Sequence, residues 1–296
     1  MIRDRILMCY GRTPYTPGKF LEDGLKGIGV LVDVYEKEID FFHVDLSKYM
    51  AVLFVESPSR PPVKVKNIDM VHIPKLFWIT HGKNRLHKNK KLCKMYKPDL
   101  LLMVHLTQLS EHFSLPTQFF PFAAPNNVFN CSLPLHKRYY DLSFVGSQKP
   151  IYDSRTNTLK FIESHLQKDK TISLFSNVYL ENMAALYNDS KMVFNQSTEE
   201  LMHINMRLFE GMGCGALVLT DVVPDQDRIF IDSKHYVTYR NKDELLEKIE
   251  YYLTHLDEAQ AIATRGYKHI LKKHTYEKRA RDLLLLIKKI RTTMTE

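Results

Sequence analysis

Residues 191–221 read KMVFNQSTEELMHINMRLFEGMGCGALVLTD. KMVFNQS (191–197) is an apolar run with a polar end, the pattern of a buried strand. INMRLFEGMGCG (204–215) has helical spacing and closes on glycine, and ALVLTD (216–221) is a second apolar run. Strand, helix and strand in this order form a crossover unit, which requires parallel pairing.

The same alternation extends both ways. Upstream, YYDLSFVGS (139–147) and TISLFSN (171–177) read as strands, and TNTLKFIESHL (156–166) and YLENMAALYNDS (179–190) as helices. Downstream, HYVTYR (235–240) is a short strand before helices at 242–256 and 257–272. Asn241 can cap the first of these, with Glu244 three residues on, close to a capping box. The first half repeats the grammar with strands RILMCYG (5–11), VLVDVYE (30–36), MAVLFVES (50–57), KLFWITHG (75–82) and DLLLMVHL (99–106). A helix, FLEDGLKGIG (20–29), stands between the first two. Strands apolar along their whole length belong to parallel sheets covered on both faces. The periodicity lapses over 113–135, a proline-rich stretch with two adjacent Asn that reads as an interdomain connection. The expectation is an α/β fold of two Rossmann-like domains whose parallel sheets face an interdomain cleft. The N-terminal domain is expected over 1–132, the C-terminal domain over 133–275, and a final helix over 276–296 returning toward the first domain.

Composition supports an ordinary globular chain. The 296 residues are 44% hydrophobic and 26% charged, with 11 Gly and 13 Pro, which excludes collagen-like, coiled-coil and disordered classes. Cys9, Cys93, Cys131 and Cys214 lie far apart with no CxxC pair, against a zinc ribbon or a disulfide scaffold. The start, MIRDRILMCYG, is apolar too briefly for a signal segment, and no apolar run approaches the ~18 residues of a membrane span. The expected location is cytoplasmic, with no transmembrane segment. The net charge of +8 is unevenly placed: residues 83–97 hold seven Lys/Arg and no acid, and 265–291 hold ten against Glu277 and Asp282. The rest of the chain is net acidic. Such segments suit anionic partners such as phosphates, nucleic acid or a lipid surface; the alternative is a pair of solvated helix faces.

Arg207 and Glu210 are three apart and share one helix face. The cation suits a diphosphate by bidentate hydrogen bonding, and the carboxylate suits a ribose diol. The alternative is a surface ion pair worth about 0.3–0.5 kcal/mol. Asp225-Gln-Asp227 is formally a DxD motif, but a loop flanked by Pro224 and Arg228 makes a metal role improbable. GRTPYTPGK (11–19) follows the first strand with the wrong spacing for a nucleotide P-loop, and Phe20 replaces Ser/Thr. His81, at the end of KLFWITHG, is placed to act as a base or to orient an acceptor, or else to be structural.

NMRLFEGMGCGALVLTD resembles the C-terminal signature of GT-B glycosyltransferases, family 4-like, in particular the spore-maturation (CgeB-like) group. LSFVGS, YLENMAALYNDSKMVFNQS and the terminal helices with His274-Thr275-Tyr276 and Arg279 match that group in the same order, covering roughly residues 140–285. The N-terminal half matches only in outline, through PFAAPNNVF (121–129). The resemblance implies a GT-B fold and a glycosyltransferase, with a nucleotide-diphosphate sugar, most simply UDP-linked, as donor and no cofactor or metal. It implies that Glu210 holds the donor ribose, that Asn205 and Arg207 lie beside the diphosphate and sugar, and that Arg155 reaches the same phosphates. Gly146 and Ser147 match a turn whose backbone N–H groups approach a phosphate. The resemblance also implies retention of anomeric configuration. Family 4 enzymes often carry two Glu separated by seven residues; here Met202 stands at the first position, with Glu199 and Glu200 out of register. The acceptor is expected to be anionic, engaged through 83–97: an envelope glycan, a lipid-linked sugar or modified DNA. A nucleotide-sugar 2-epimerase-like isomerase and a non-catalytic nucleotide-sugar-binding protein are the rival readings.

Overall fold

A computed structural model describes residues 4–147, 153–166, 169–197 and 202–295; Glu199 and Glu200 lie outside the described residues. The chain divides into two compact units, Met1–Phe122 with Tyr276–Glu296, and Ala123–Thr275. The first boundary falls ten residues before the expected 132/133 junction. Ala124 donates its N–H to His274 O at 2.8 Å and bridges Thr275, so backbone pairing ties this stretch to the second unit.

Unit 1 begins with β1 (Arg5–Cys9), α1 (Pro17–Gly27), β2 (Leu31–Tyr35), β3 (Glu38–Asp40), β4 (Ala51–Val55) and β5 (Lys64–Lys66). It continues through β6 (Lys75–Ile79), α2 (Leu86–Tyr96), β7 (Leu100–Met103), α3 (Leu106–Leu109) and β8 (Thr117–Phe119). Six strands form a parallel sheet in the order β2-β1-β4-β6-β7-β8. All five residues of β4 and of β6 are buried, the environment that continuous apolar strands require. Each fully buried Leu, Ile or Phe contributes about 1.5–3 kcal/mol. β8 lies inside the stretch that lost its periodicity. It is a three-residue edge strand between Pro116 and Pro121, too short to show an alternating pattern, and prolines are tolerated at such an edge.

Unit 2 runs β9 (Tyr140–Val145), α4 (Asp153–Leu166), β10 (Ile172–Phe175), α5 (Leu180–Asn188), β11 (Ser190–Asn195) and α6 (Met206–Gly213). It ends with β12 (Leu217–Asp221), β13 (Val237–Tyr239), α7 (Lys242–Thr254) and α8 (Leu256–Lys273). Its five-stranded sheet is also parallel, in the order β10-β9-β11-β12-β13. β9 and β11 are neighbours with β10 outside them, so the strand order reverses at their carboxyl ends, where doubly wound sheets bind ligands. Leu142, Phe144, Phe194, Leu217 and Leu219 build the core of one face with Leu159 and Ile162 of α4. α6 ends as expected at a Gly-Cys-Gly. Gly215 has φ +65°, and a Cβ there would stand 2.6 Å from Cys131 Sγ, so both conformation and space demand glycine. Asn241 caps α7 as expected, its Oδ1 accepting from Glu244 N at 2.9 Å, while the Glu244 carboxylate reaches one residue further back and accepts from Arg240 N at 2.8 Å. The chain then returns to unit 1 as α9 (Tyr276–Thr295), packed against α1.

Candidate active site

The carboxyl end of β9 gathers four of the residues singled out from sequence. Gly146 donates its N–H to Phe175 O at 2.9 Å and so extends the β9–β10 ladder. That N–H is therefore committed to the sheet, which corrects the expectation that it faces a phosphate. Gly146 contributes space instead. A Cβ there would stand 2.5 Å from the Arg207 guanidinium and 2.7 Å from the Phe144 ring. Arg207, on the first turn of α6, crosses this gap to donate Nε to Val145 O and Nη1 to Asn195 Oδ1, each at 2.8 Å. Its guanidinium lies 4.5 Å from the Phe144 ring centroid, and the guanidinium of Arg155, from α4, lies 5.4 Å from the same ring. Arg155 also donates to Ser147 O at 2.5 Å, so the Ser147 carbonyl anchors an arginine.

Two cations against one aromatic ring are stabilised by its quadrupole, by about 0.5–2 kcal/mol each. Arg207 pairs with no carboxylate among the described residues: its partners are a carbonyl and an amide oxygen. The surface ion pair with Glu210 does not form. A guanidinium held by neutral acceptors keeps its charge for an incoming anion, and its planar fork matches a phosphate.

Glu210, one turn further along α6, is only 6% exposed. Burial pushes its carboxyl up to about 7, against the opposing field of Arg207. Asn205 is the N-cap of α6 in extended conformation, yet its side chain makes no cap bond and its buried Oδ1 has no partner among the described residues. A hydrogen-bonded chain continues across the strand ends. Asn195 donates Nδ2 to Thr220 Oγ1 at 2.8 Å, and Asp221 Oδ2 accepts from Ser197 N at 2.8 Å. Burial pushes the Asp221 carboxyl up to about 6 despite the Ser197 and Thr220 bonds.

Unit 1 holds His81, which follows β6 and is not part of the arginine cluster. Its Nδ1 faces Thr80 Oγ1 at 3.0 Å and the Glu56 carboxylate at 3.5 Å. Glu56 is 5% exposed at the end of β4. Its carboxylate also accepts from Thr80 N and His81 N at 2.9 Å each and from Arg85 Nε at 2.7 Å. Burial raises the Glu56 pKa, but His81 and the two backbone N–H groups outweigh it and bring the carboxyl down to about 2. A carboxylate on the Nδ1 side favours the Nδ1–H tautomer and leaves Nε2 outward.

The basic segment forms α2, where Lys90, Lys91 and Lys94 are exposed, Lys88 is half-buried, and Lys97 just beyond the helix pairs with Asp69 at 2.5 Å. In the 11–19 loop Arg12 is turned inward onto the buried Glu22 at 2.9 Å. Asp225 of the DxD is buried and held by Arg228 at 2.8 Å, so the motif does not present two open carboxylates.

Sequence reasoning missed Phe144, Asn195 and Glu56. Phe144 and Asn195 look like ordinary strand residues until β9, β11 and α6 are assembled. Glu56 did carry a signal, a carboxylate directly after a wholly apolar strand.

Residues 139–285 match the Glycosyl transferase-like family. A comparison with curated protein sequences finds no match. Among solved structures, sucrose-phosphate synthase from Thermosynechococcus elongatus aligns with 98% of this chain and 100% of its own, at TM-score 0.64 and 11% identity. Anabaena HepE, solved with UDP and glucose, covers 97% of this chain and 100% of its own, at TM-score 0.65 and 9% identity. An α-glucosyltransferase solved with UDP and a 13-mer DNA containing an HMU base covers 97% and 100%, at TM-score 0.67 and 8% identity. Identities this low show a shared fold. No described helix is long and apolar enough to cross a membrane. The two parallel-sheet units give the chain the fold shared with these glycosyltransferases, GT-B, and residues 139–285 of it match the Glycosyl transferase-like family.

Proposed function

We propose that this enzyme transfers a glycosyl group from a nucleotide-diphosphate sugar, UDP-linked by the example of HepE and the α-glucosyltransferase, to an acceptor hydroxyl. The observation that carries the proposal is the pair of guanidiniums of Arg207 and Arg155 on the Phe144 ring, with Arg207 free of any carboxylate among the described residues. As the anomeric C–O bond breaks, its electron pair remains on the diphosphate, and these cations stabilise that charge. The acceptor oxygen bonds to the anomeric carbon and its proton passes to the departing diphosphate, on the same face, with retention as in the group the motifs resemble. Metal independence is supported by the engagement of Asp225 with Arg228. Glu210 and Asn205 take the ribose and the polar groups around the diphosphate. His81, with Nε2 outward, orients the acceptor hydroxyl.

An anionic acceptor is supported by the exposed lysines of α2, and the DNA held by the similar α-glucosyltransferase is one example of such a molecule. The order of the motifs from LSFVGS to His274-Thr275-Tyr276 resembles that of the CgeB-like group. The test is nucleotide release from a panel of nucleotide sugars with and without acceptors. Acceptor-dependent release supports transfer. An epimer or free glycal from donor alone would instead establish an isomerase, and tight binding without turnover on any acceptor a binding protein.

A further inference from the structure

Unit 2 packs three histidines together beside α6. His235 precedes β13, His269 lies on α8 and His274 follows it. The His235 and His269 rings stack with centroids 4.1 Å apart, and His269 and His274 stand at 4.9 Å. Phe230 sets its ring against all three, at 6.4, 5.8 and 5.4 Å. Phe209 of α6 packs on Phe230 at 5.3 Å and on His274 at 5.9 Å. Hydrogen bonding admits one protonation state here. Ile231 N donates to His235 Nδ1 at 3.1 Å, so that nitrogen carries no proton. His269 Nε2 faces Ile229 O at 2.9 Å, and a carbonyl only accepts, so the His269 proton is on Nε2. His274 Nε2 stands 3.2 Å from the same nitrogen and meets its N–H with a lone pair. In His235 and His274, then, the nitrogen that an imidazolium would have to protonate is already an acceptor.

The surrounding charges oppose protonation as well. Lys234, beside His235, and Arg265, Lys272 and Lys273 of α8 all bear on the imidazoles as cations. The carboxyl groups of the adjoining loop and of α6 are engaged elsewhere. Asp225 pairs with Arg228, Asp232 accepts from Thr238 N at 2.8 Å and with Asp227 bears on Tyr236, and Glu210 is opposed by Arg207. Burial and these cations bring His235 down to about 4 and lower His269 also. We propose that the three imidazoles form an acid-sensitive latch on α6: neutral, they seat Phe209 and hold the helix; protonated, they release it. Because Arg207 and Glu210 ride on that helix, donor binding follows the latch. That last step rests on α6 carrying the donor site; the latch itself does not.

The experiment follows hydrogen-exchange protection of residues 206–213 in the full chain from pH 7.5 to 5.0, alongside calorimetric binding of UDP-glucose, whose diphosphate keeps its charge over that range. The proteins are the parent and the double variant His235→Asn with His274→Gln, whose amide oxygens accept where the imidazoles do and cannot titrate. Above pH 6.5 the latch is neutral whether open or closed; as pH falls toward 4 the open form takes up protons first and gains weight. From His235 alone, opening at pH 5.0 should rise roughly thirtyfold. The parent is therefore expected to lose α6 protection at least tenfold and to bind UDP-glucose correspondingly more weakly, while the double variant stays within threefold. Imidazole NMR of the parent should show His235 and His274 still neutral where α6 remains protected, and it decides the matter if the double variant fails to fold. Protection indifferent to pH in the parent, protection lost equally in the double variant, or either histidine titrating near 6.5 with α6 still protected overturns the latch. UDP-glucose binding that is absent, or unchanged while α6 opens, overturns the placement of the donor on α6 and leaves the latch standing.

Discussion

Glu210→Gln should make the protein more stable while weakening donor binding. The carboxyl rises from its ordinary 4.5 to about 7 in the folded state because burial penalises the charged form. The sign follows from linkage. Below pH 4.5 the group is protonated whether the chain is folded or not, and contributes nothing. Between 4.5 and about 7 the unfolded chain ionises first, so stability falls as pH rises; above about 7 the whole penalty is present. At 1.36 kcal/mol per pH unit the penalty is about 3 kcal/mol. Glutamine cannot ionise, so the variant should match the parent near pH 4.5 and exceed it by about 3 kcal/mol at pH 8.5. For a domain of this size that is roughly 6–12 °C in Tm. The single tryptophan, Trp78, lies in unit 1, so unit 2 must be followed by far-UV circular dichroism. In the same variant UDP affinity should fall roughly ten- to a hundredfold, the loss of a charge-assisted bond of about 1.5–3 kcal/mol. Parallel stability profiles from pH 4.5 to 8.5 would refute the burial argument, and unchanged UDP affinity would refute the ribose assignment.

Arg207→Ala should lower turnover about 10²–10³-fold, the usual effect of removing one preorganised donor, and Gly146→Ala should do likewise because its Cβ would occupy the path of the guanidinium. An active Gly146→Ala enzyme would show that Arg207 does not need its observed position. Glu56→Gln should destabilise unit 1 by about 3 kcal/mol at pH 7; the carboxyl is held down at about 2, so this contribution exists above 4.5 and vanishes as pH falls through 2. Urea unfolding monitored by Trp78 fluorescence measures it, and equal midpoints at pH 7 would count against the network. Turnover should survive EDTA; loss on chelation, restored by Mn²⁺ or Mg²⁺, would return Asp225 and Asp227 to the mechanism. If the acceptor is DNA, log K should fall linearly with log salt, and replacing Lys88, Lys90 and Lys91 by Ala should flatten the slope by about 3. A triple variant with unchanged binding and turnover would leave α2 a solvated face.

The two parallel sheets were legible because their signals are local. A strand buried on both faces must be apolar along its length, as AVLFV and KLFWI are, and a crossover needs a helix-sized interval. Caps and closing glycines are local too, which is why Asn241 with Glu244, and Gly215, stand where expected. The three-residue strands β3 (EID), β5 (KVK) and β8 (TQF) escaped because none sits in a longer β-branched and aromatic run, as β13 does in HYVTYR. Within the candidate site, the identities of Arg207, Glu210, Gly146 and Arg155 came from motif and spacing, but their partners did not. Arg207 and Glu210 lie three apart on one helix, and spacing alone leaves open whether they pair with each other or each face a ligand. Only the packing of β9, β11 and α6 turns Arg207 onto Phe144, Val145 and Asn195 and encloses Glu210 where ionisation is penalised. Charge, spacing and hydrophobic period are properties of neighbours along the chain. Burial, and the choice among competing hydrogen-bond acceptors, depends on residues dozens of positions away, and the tertiary structure alone decided those.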